Sequence, residues 1–181
     1  MVKKDITAEI EVPQEVTLTF EGSTYTFKGK KGSVVKLFNN PNVELKVSGT
    51  KINLLAKSAS KTGKAIINTY RAHILNAIKG CQEGFVYKLK ICSGHFPMNV
   101  SINNKKLIIK NFLGEKVPRV VELKQDVDVK IDGSFIFVEG ADKEKTGQMA
   151  ASIEQRTRRP GFDKRIFQDG IYAVEKAGKE I

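Results

Sequence analysis

Residues 43–54, VELKVSGTKINL, return 84 positions later as residues 127–138, VDVKIDGSFIFV. Val43, Lys46, Gly49 and Ile52 are identical to Val127, Lys130, Gly133 and Ile136. Glu44/Asp128, Leu45/Val129, Val47/Ile131 and Thr50/Ser134 are conservative pairs. Lys61-Thr62-Gly63 recurs at the same offset as Lys145-Thr146-Gly147, and Val16-Thr17-Leu18 faces Val100-Ser101-Ile102. Matches in one order at one offset point to duplication. Two copies are too few for a solenoid, which needs about three. The expectation is therefore two similar domains in tandem within the 181 residues.

Each copy follows one local pattern. Val16, Leu18 and Phe20, then Tyr25 and Phe27, alternate around Glu21-Gly22-Ser23, a hairpin with a glycine turn. Further β-rich runs fall at 34–38, 43–47 and 51–55, with Ser48-Gly49-Thr50 turning the chain. A helix is predicted from Ser60 to Lys79, with Ile66, Ile67, Tyr70, Ile74, Leu75 and Ile78 at three- and four-residue spacing and Gly80 as its stop. In the second copy, strands are predicted near 85–92, 99–103, 106–112, 119–123, 127–131 and 135–139. Asp142 then caps a helix carrying Met149, Ala150, Ile153 and Thr157 on one side, which Arg158-Arg159-Pro160-Gly161 stops. The predicted fold is α+β: twice, an antiparallel β-sheet packed against one α-helix. The predicted divisions are 1–82, 83–160 and a basic tail over 161–181.

Charge narrows the function. Lys and Arg number 31 against 20 acids, a net +11 that points to nucleic acid. No apolar run is long enough to span a membrane and the N-terminus has no signal-like apolar region, so no membrane role is expected. Cys81 and Cys92 read as reduced thiols of a cytosolic protein, not as a zinc site. His73 and His95 have no ligand-spaced companions, and no carboxylate pair stands out as an acid/base couple. No cofactor or metal is expected. Ser58 to Ala65, SASKTGKA, resembles a phosphate loop but lacks its first glycine and its final Ser/Thr. A helix start explains it better.

Residues 156–165 hold Arg156, Arg158, Arg159, Lys164 and Arg165 against the single acid Asp163. Arginine forks match phosphate geometry, and a tail can follow a nucleic-acid backbone. A helix end that merely favours cations is the bland alternative. Lys28, Lys30, Lys31 and Lys36 form a second basic set, either facing phosphate or guarding a sheet edge. Lys61, Lys64 and Arg71 read as a solvated helix face. Phe20, Tyr25, Phe27, Phe85, Tyr87, Phe135 and Phe137 read as core, whereas Phe162, Phe167 and Tyr172 either anchor the tail or stack on bases.

The run Arg165-Ile166-Phe167-Gln168-Asp169-Gly170-Ile171-Tyr172 resembles the C-terminal signature of large-subunit ribosomal protein six in its archaeal and eukaryotic branch, numbered nine in eukaryotes. Gly84-Phe85-Val86-Tyr87-Lys88-Leu89-Lys90, His95-Phe96-Pro97-Met98-Asn99-Val100 and Asn111-Phe112-Leu113-Gly114-Glu115-Lys116 are similar to the same family's central stretches. A eukaryotic member's longer basic insertion is missing, so the archaeal branch fits better. The resemblance implies a duplicated α+β fold and no enzymatic activity. It also implies a structural role on the large subunit, near the stalk base and the sarcin-ricin region where translation factors dock. The implied partners are large-subunit (23S) rRNA and neighbouring ribosomal proteins, on cytoplasmic ribosomes, without homo-oligomers. By motif, the RNA-contact role carries over to Lys164 and Arg165. Arg156, Arg158 and Arg159 are added from charge. Lys88, Lys90, Lys116, Arg119 and Lys176 are further basic candidates in the second copy and tail. A free-standing tandem nucleic-acid-binding module or a ribosome assembly factor is the alternative. An enzyme acting on nucleic acid would need a convergent carboxylate or histidine site.

Overall fold

The computed structural model describes residues 5–56, 60–163 and 165–181. The chain divides into two compact units between Gly84 and Phe85. In the first, β1 (Ile6–Glu11), β2 (Thr17–Glu21), β3 (Thr24–Gly29), β4 (Gly32–Leu37), β5 (Glu44–Ser48) and β6 (Lys51–Ala56) precede α1 (Lys61–Gln82). The strands form two antiparallel sheets, ordered β1-β6-β5 and β2-β3-β4. The β1 strand is absent from the sequence reading, although Ile6, Ala8 and Ile10 alternate with Thr7, Glu9 and Glu11.

Helix α1 starts where Ser60 accepts a hydrogen bond from the Gly63 amide at 3.3 Å, which explains the SASKTGKA run as a helix start. Part of that run, 58–59, lies outside the described residues. The helix does not stop at Gly80, which is buried inside it. It continues to Gln82, and Gly84, at φ +79°, turns the chain out by donating to the Gly80 carbonyl. Ile67, Ile74, Ala77 and Ile78 are buried with Phe27, Ile52 and Leu54 of the sheets. Leu75 is exposed instead, one position off the buried face. Lys61, Lys64 and Arg71 are exposed, as a solvated face requires.

Where β3 meets α1, the backbones approach closely. A Cβ on Gly29 would lie 2.6 Å from the Cys81 carbonyl oxygen, and that oxygen is held by the Lys31 amide at 3.0 Å. Neither backbone can yield cheaply. Gly29→Ala should therefore destabilise the first unit by about 1–3 kcal/mol, the usual cost of overpacking. Urea unfolding followed on this unit checks it: a lower midpoint at unchanged slope is expected, and an unmoved midpoint would refute the close approach.

The second unit repeats and extends this plan. Its strands are β7 (Phe85–Cys92), β8 (Asn99–Asn103), β9 (Lys106–Lys110), β10 (Arg119–Glu122), β11 (Asp128–Asp132) and β12 (Phe135–Gly140). A short 3-10 turn, Phe112–Gly114, lies between β9 and β10. Then come α2 (Lys143–Arg156), β13 (Gly170–Lys176) and β14 (Lys179–Glu180). One sheet is ordered β10-β9-β8 and the other β11-β12-β7-β13-β14. Strands β5 and β6 recur as β11 and β12 at the 84-residue offset, and Gly49 and Gly133 open the same two-residue turn at φ +60° and +55°. The preceding hairpins differ. The Gly22-Ser23 turn corresponds to Asn104-Lys105, 82 residues on, so Val16-Thr17-Leu18 matches Val100-Ser101-Ile102 two residues out of register. A slip of two keeps each side chain on its face.

The largest departure from the sequence reading is the C-terminus. Residues 161–181 are not a separate tail. Strand β13 pairs antiparallel with β7, from Gly170 opposite Cys92 to Lys176 opposite Tyr87, and Ile171 is fully buried. It joins Leu89, Ile136, Val138, Met149 and Ile153 in the core under α2. Phe135 and Phe137 are corrected too. They alternate with the buried Ile136 and Val138, lie half-buried on the opposite face, and carry the Lys88 ammonium 4.2 and 5.6 Å from their ring centres. Phe20 is 55% exposed, stacked on Tyr25 at the rim rather than inside.

Candidate nucleic-acid interface

The basic cluster is built around the C-terminal end of α2. Asp142 starts this helix by accepting from the Glu144 amide at 3.0 Å. Its last carbonyls find a partner on another element. Arg119 of β10 donates from Nη1 to the carbonyls of Arg156 (2.6 Å) and Arg158 (3.4 Å). Its Nε and Nη2 form a fork with Glu115 at 2.8 and 2.6 Å, and its guanidinium lies 4.4 Å from the Phe112 ring centre. The hydrogen bond from Arg119 holds the Glu115 carboxyl below its ordinary value against the opposing effect of burial, and the charges of Arg119 and Arg159 add to this. Arg119 is thus committed inside the protein. In this structure it braces the helix end that presents its neighbours.

Arg156 and Arg158 are exposed, and neither guanidinium is paired with an acid among the described residues. Arg159 is half-buried, with its guanidinium 4.3 Å from the Phe162 ring centre and Nη1 3.7 Å from Glu115. Arg165 is exposed, but its fork rests on Asp163 at 2.7–3.2 Å. The side-chain and backbone hydrogen bonds from Arg165 hold the Asp163 carboxyl low. Lys164 lies outside the described residues. Lys116 is exposed beside Glu115. Lys90 is exposed on β7, whereas Lys88 is spent on the two phenylalanine rings. Lys176 sits at the far end of β13 from Gly170, about 20 Å away at strand rise. It does not join the cluster.

A hydrogen-bonded lock fixes the segment that carries these groups. Asp169 accepts from the Gly94 amide at 2.7 Å, the His95 amide at 3.0 Å and the His95 ring, Nδ1 at 2.6 Å. The His95 ring stacks on Phe167 at 4.9 Å, and Phe167 meets Phe162 edge-on at 4.9 Å. The Thr157 hydroxyl accepts from the Ile171 amide at 2.9 Å and donates to the Glu154 carbonyl at 3.0 Å. Sequence spacing missed this lock because Asp169 lies 74 residues beyond His95. Both residues do stand inside the motifs that carry the family resemblance. Among the described residues, no three His, Cys, Asp or Glu side chains stand together as a candidate metal site.

Lys30 and Lys31 form the tip of the β3–β4 hairpin, and Lys30 lies 3.8 Å from Glu15.

Comparison with known proteins accounts for both halves. The model of the family described as "Ribosomal protein L6" matches residues 12–84 and 96–170. The large ribosomal subunit protein uL6 of Methanosarcina mazei is 43% identical over 174 residues, covering 96% of this chain and 99% of that protein. Its namesake from Methanococcus vannielii is 45% identical over 176 residues, 97% of each. The paired matches follow the structural duplication, and with this identity over nearly the full length, the chain belongs to the ribosomal protein L6 family.

Proposed function

We propose that this chain is a structural component of the large ribosomal subunit that docks on large-subunit rRNA through the α2 end of its second unit. Its relatives are named as large-subunit proteins, and the family is structural rather than enzymatic. The observation that carries the RNA reading is the exposed pair Arg156 and Arg158, raised on a helix end that Arg119 braces. A braced helix end leaves only the two side chains, not the backbone beneath them, to be ordered when they bind phosphate. Arg159, Lys90, Lys116 and Arg165 lie in the same unit and extend the basic surface. Lys164 keeps the role the motif gives it. The family resemblance favours the stalk base and sarcin-ricin region of 23S rRNA as the site, with neighbouring ribosomal proteins beside it and translation factors passing close. The place of action is the cytoplasmic ribosome.

The test is binding of the full chain to large-subunit rRNA fragments and to an unrelated RNA of equal length, across a salt series. One fragment should be preferred, and the preference should persist at moderate salt. Arg156→Gln with Arg158→Gln should weaken that complex and lower its salt slope by about 0.7–0.9 for each phosphate no longer neutralised. Equal binding to all RNAs that collapses with salt would favour a free-standing nucleic-acid-binding module instead.

A further inference from the structure

Between the α2 end, the 3-10 turn and the segment leading into β13 lies a cavity of about 260 Å³. We propose that it receives one unpaired nucleobase of the bound RNA; this rests on the rRNA-binding reading above and adds a base-specific contact to it. The volume falls just below the range of small-molecule pockets, about 300 Å³ and upward, so it suits one planar heterocycle. Its walls have the required chemistry. Phe162 and Tyr172 border it and are 38% and 41% exposed, so both rings keep area free for stacking. The Phe162 ring meets Phe167 edge-on at 81°, and the Arg159 guanidinium lies 4.3 Å from its centre. A base entering there meets aromatic faces and an arginine plane, the surfaces on which unpaired bases stack. Glu154 and Gln155 on the α2 side offer an acceptor and a donor to its edge.

The polarity matches a nucleotide. Arg158 lines the cavity, and Arg156 precedes it at the exposed helix end, so positive charge gathers beside an aromatic interior. A nucleotide carries phosphate outside and a flat ring inside. An apolar peptide side chain would use the interior but not the arginines.

The experiment uses the full chain and the preferred rRNA fragment, with an abasic ribose placed at each unpaired nucleotide in turn. Two variants test the protein side. Phe162→Leu removes the ring face, and Ala151→Leu fills the cavity from an exposed helix position without touching a charge. One abasic position should weaken wild-type binding about 5- to 100-fold. Each variant should weaken binding similarly, leave the salt slope unchanged, and lose further sensitivity to that abasic position. Thermal melting confirms that both variants are folded. If no abasic position matters, or its effect simply adds to that of Phe162→Leu, the base pocket is wrong while the arginine docking stands. If Ala151→Leu binds RNA normally but fails to assemble with other ribosomal proteins, the cavity holds a protein segment and the proposal is overturned. If wild type shows no fragment preference, the rRNA reading itself fails, and the pocket with it.

Discussion

Removing residues 170–181 is expected to unfold the second unit, not merely to weaken RNA binding. Among the described residues, strand β13 is the only partner of β7 on one side, and Ile171 is fully buried beneath α2. Truncating that one side chain, Ile171→Ala, should cost about 2–5 kcal/mol by cavity formation. Losing the strand also frees the β7 backbone groups between Tyr87 and Cys92 that faced β13, and it uncovers the core around Leu89. The combined loss is comparable with the whole stability of an ordinary domain, about 5–15 kcal/mol. Hydrogen exchange reads the outcome directly. Protection should vanish across β7 and β12 while β5 and β6 of the first unit keep theirs. A shortened chain whose β7 amides stay protected would show that the C-terminus is a dispensable tail after all.

Replacing Asp169 should be nearly as damaging. Its side chain is 3% exposed and accepts two backbone amides and the His95 ring. In Asp169→Ala those amides lose their acceptor, at about 1–3 kcal/mol for each group left unsatisfied. The loop 93–97 and the Phe167 stack should loosen together, and selective RNA binding should fall with them. The same group sets an acid limit. Burial alone would raise the Asp169 carboxyl, but the hydrogen bonds from the His95 amide, the His95 ring and the Gly94 amide, with the His95 charge, hold it below the ordinary 3.8. A carboxyl depressed in the folded state stabilises fully above its unfolded value and loses that contribution as pH falls through the lower folded one. Melting of the second unit should therefore weaken below about pH 4. In Asp169→Asn, which keeps an amide acceptor and cannot ionise, that part of the acid dependence should be gone. Parallel melting curves for wild type and Asp169→Asn between pH 5 and 2 would remove the lock from the account of acid stability.

Local rules make much of this architecture legible in the sequence. Alternation and glycine turns reveal most strands, because a sheet with one buried face repeats every two residues whatever surrounds it. Ser60 and Asp142 mark both helix starts, because caps act over three residues. The duplication requires only counting. Alternation alone, however, does not say which face is inside. It allows Phe135 and Phe137 as core, yet their neighbours Ile136 and Val138 take that side, because α2 covers it. Charge has the same limit. Arg119 and Arg158 are both arginines of the second copy, but one fork is consumed by Glu115 and two carbonyls while the other faces solvent.

The sequence by itself determined the two-fold plan, the α+β class, the family and the basic character of residues 156–165. These follow from short-range periodicity, matching residues and composition, all of which are properties of the chain before it folds. Only the tertiary structure decided that the C-terminal segment is a core strand, that His95 and Asp169 form one lock, and that aromatic rings and two arginines wall a cavity. Those features join residues up to 89 positions apart, as Lys176 and Tyr87 are. Such neighbours arise from how elements pack, and packing brings together side chains whose separation along the chain carries no signal.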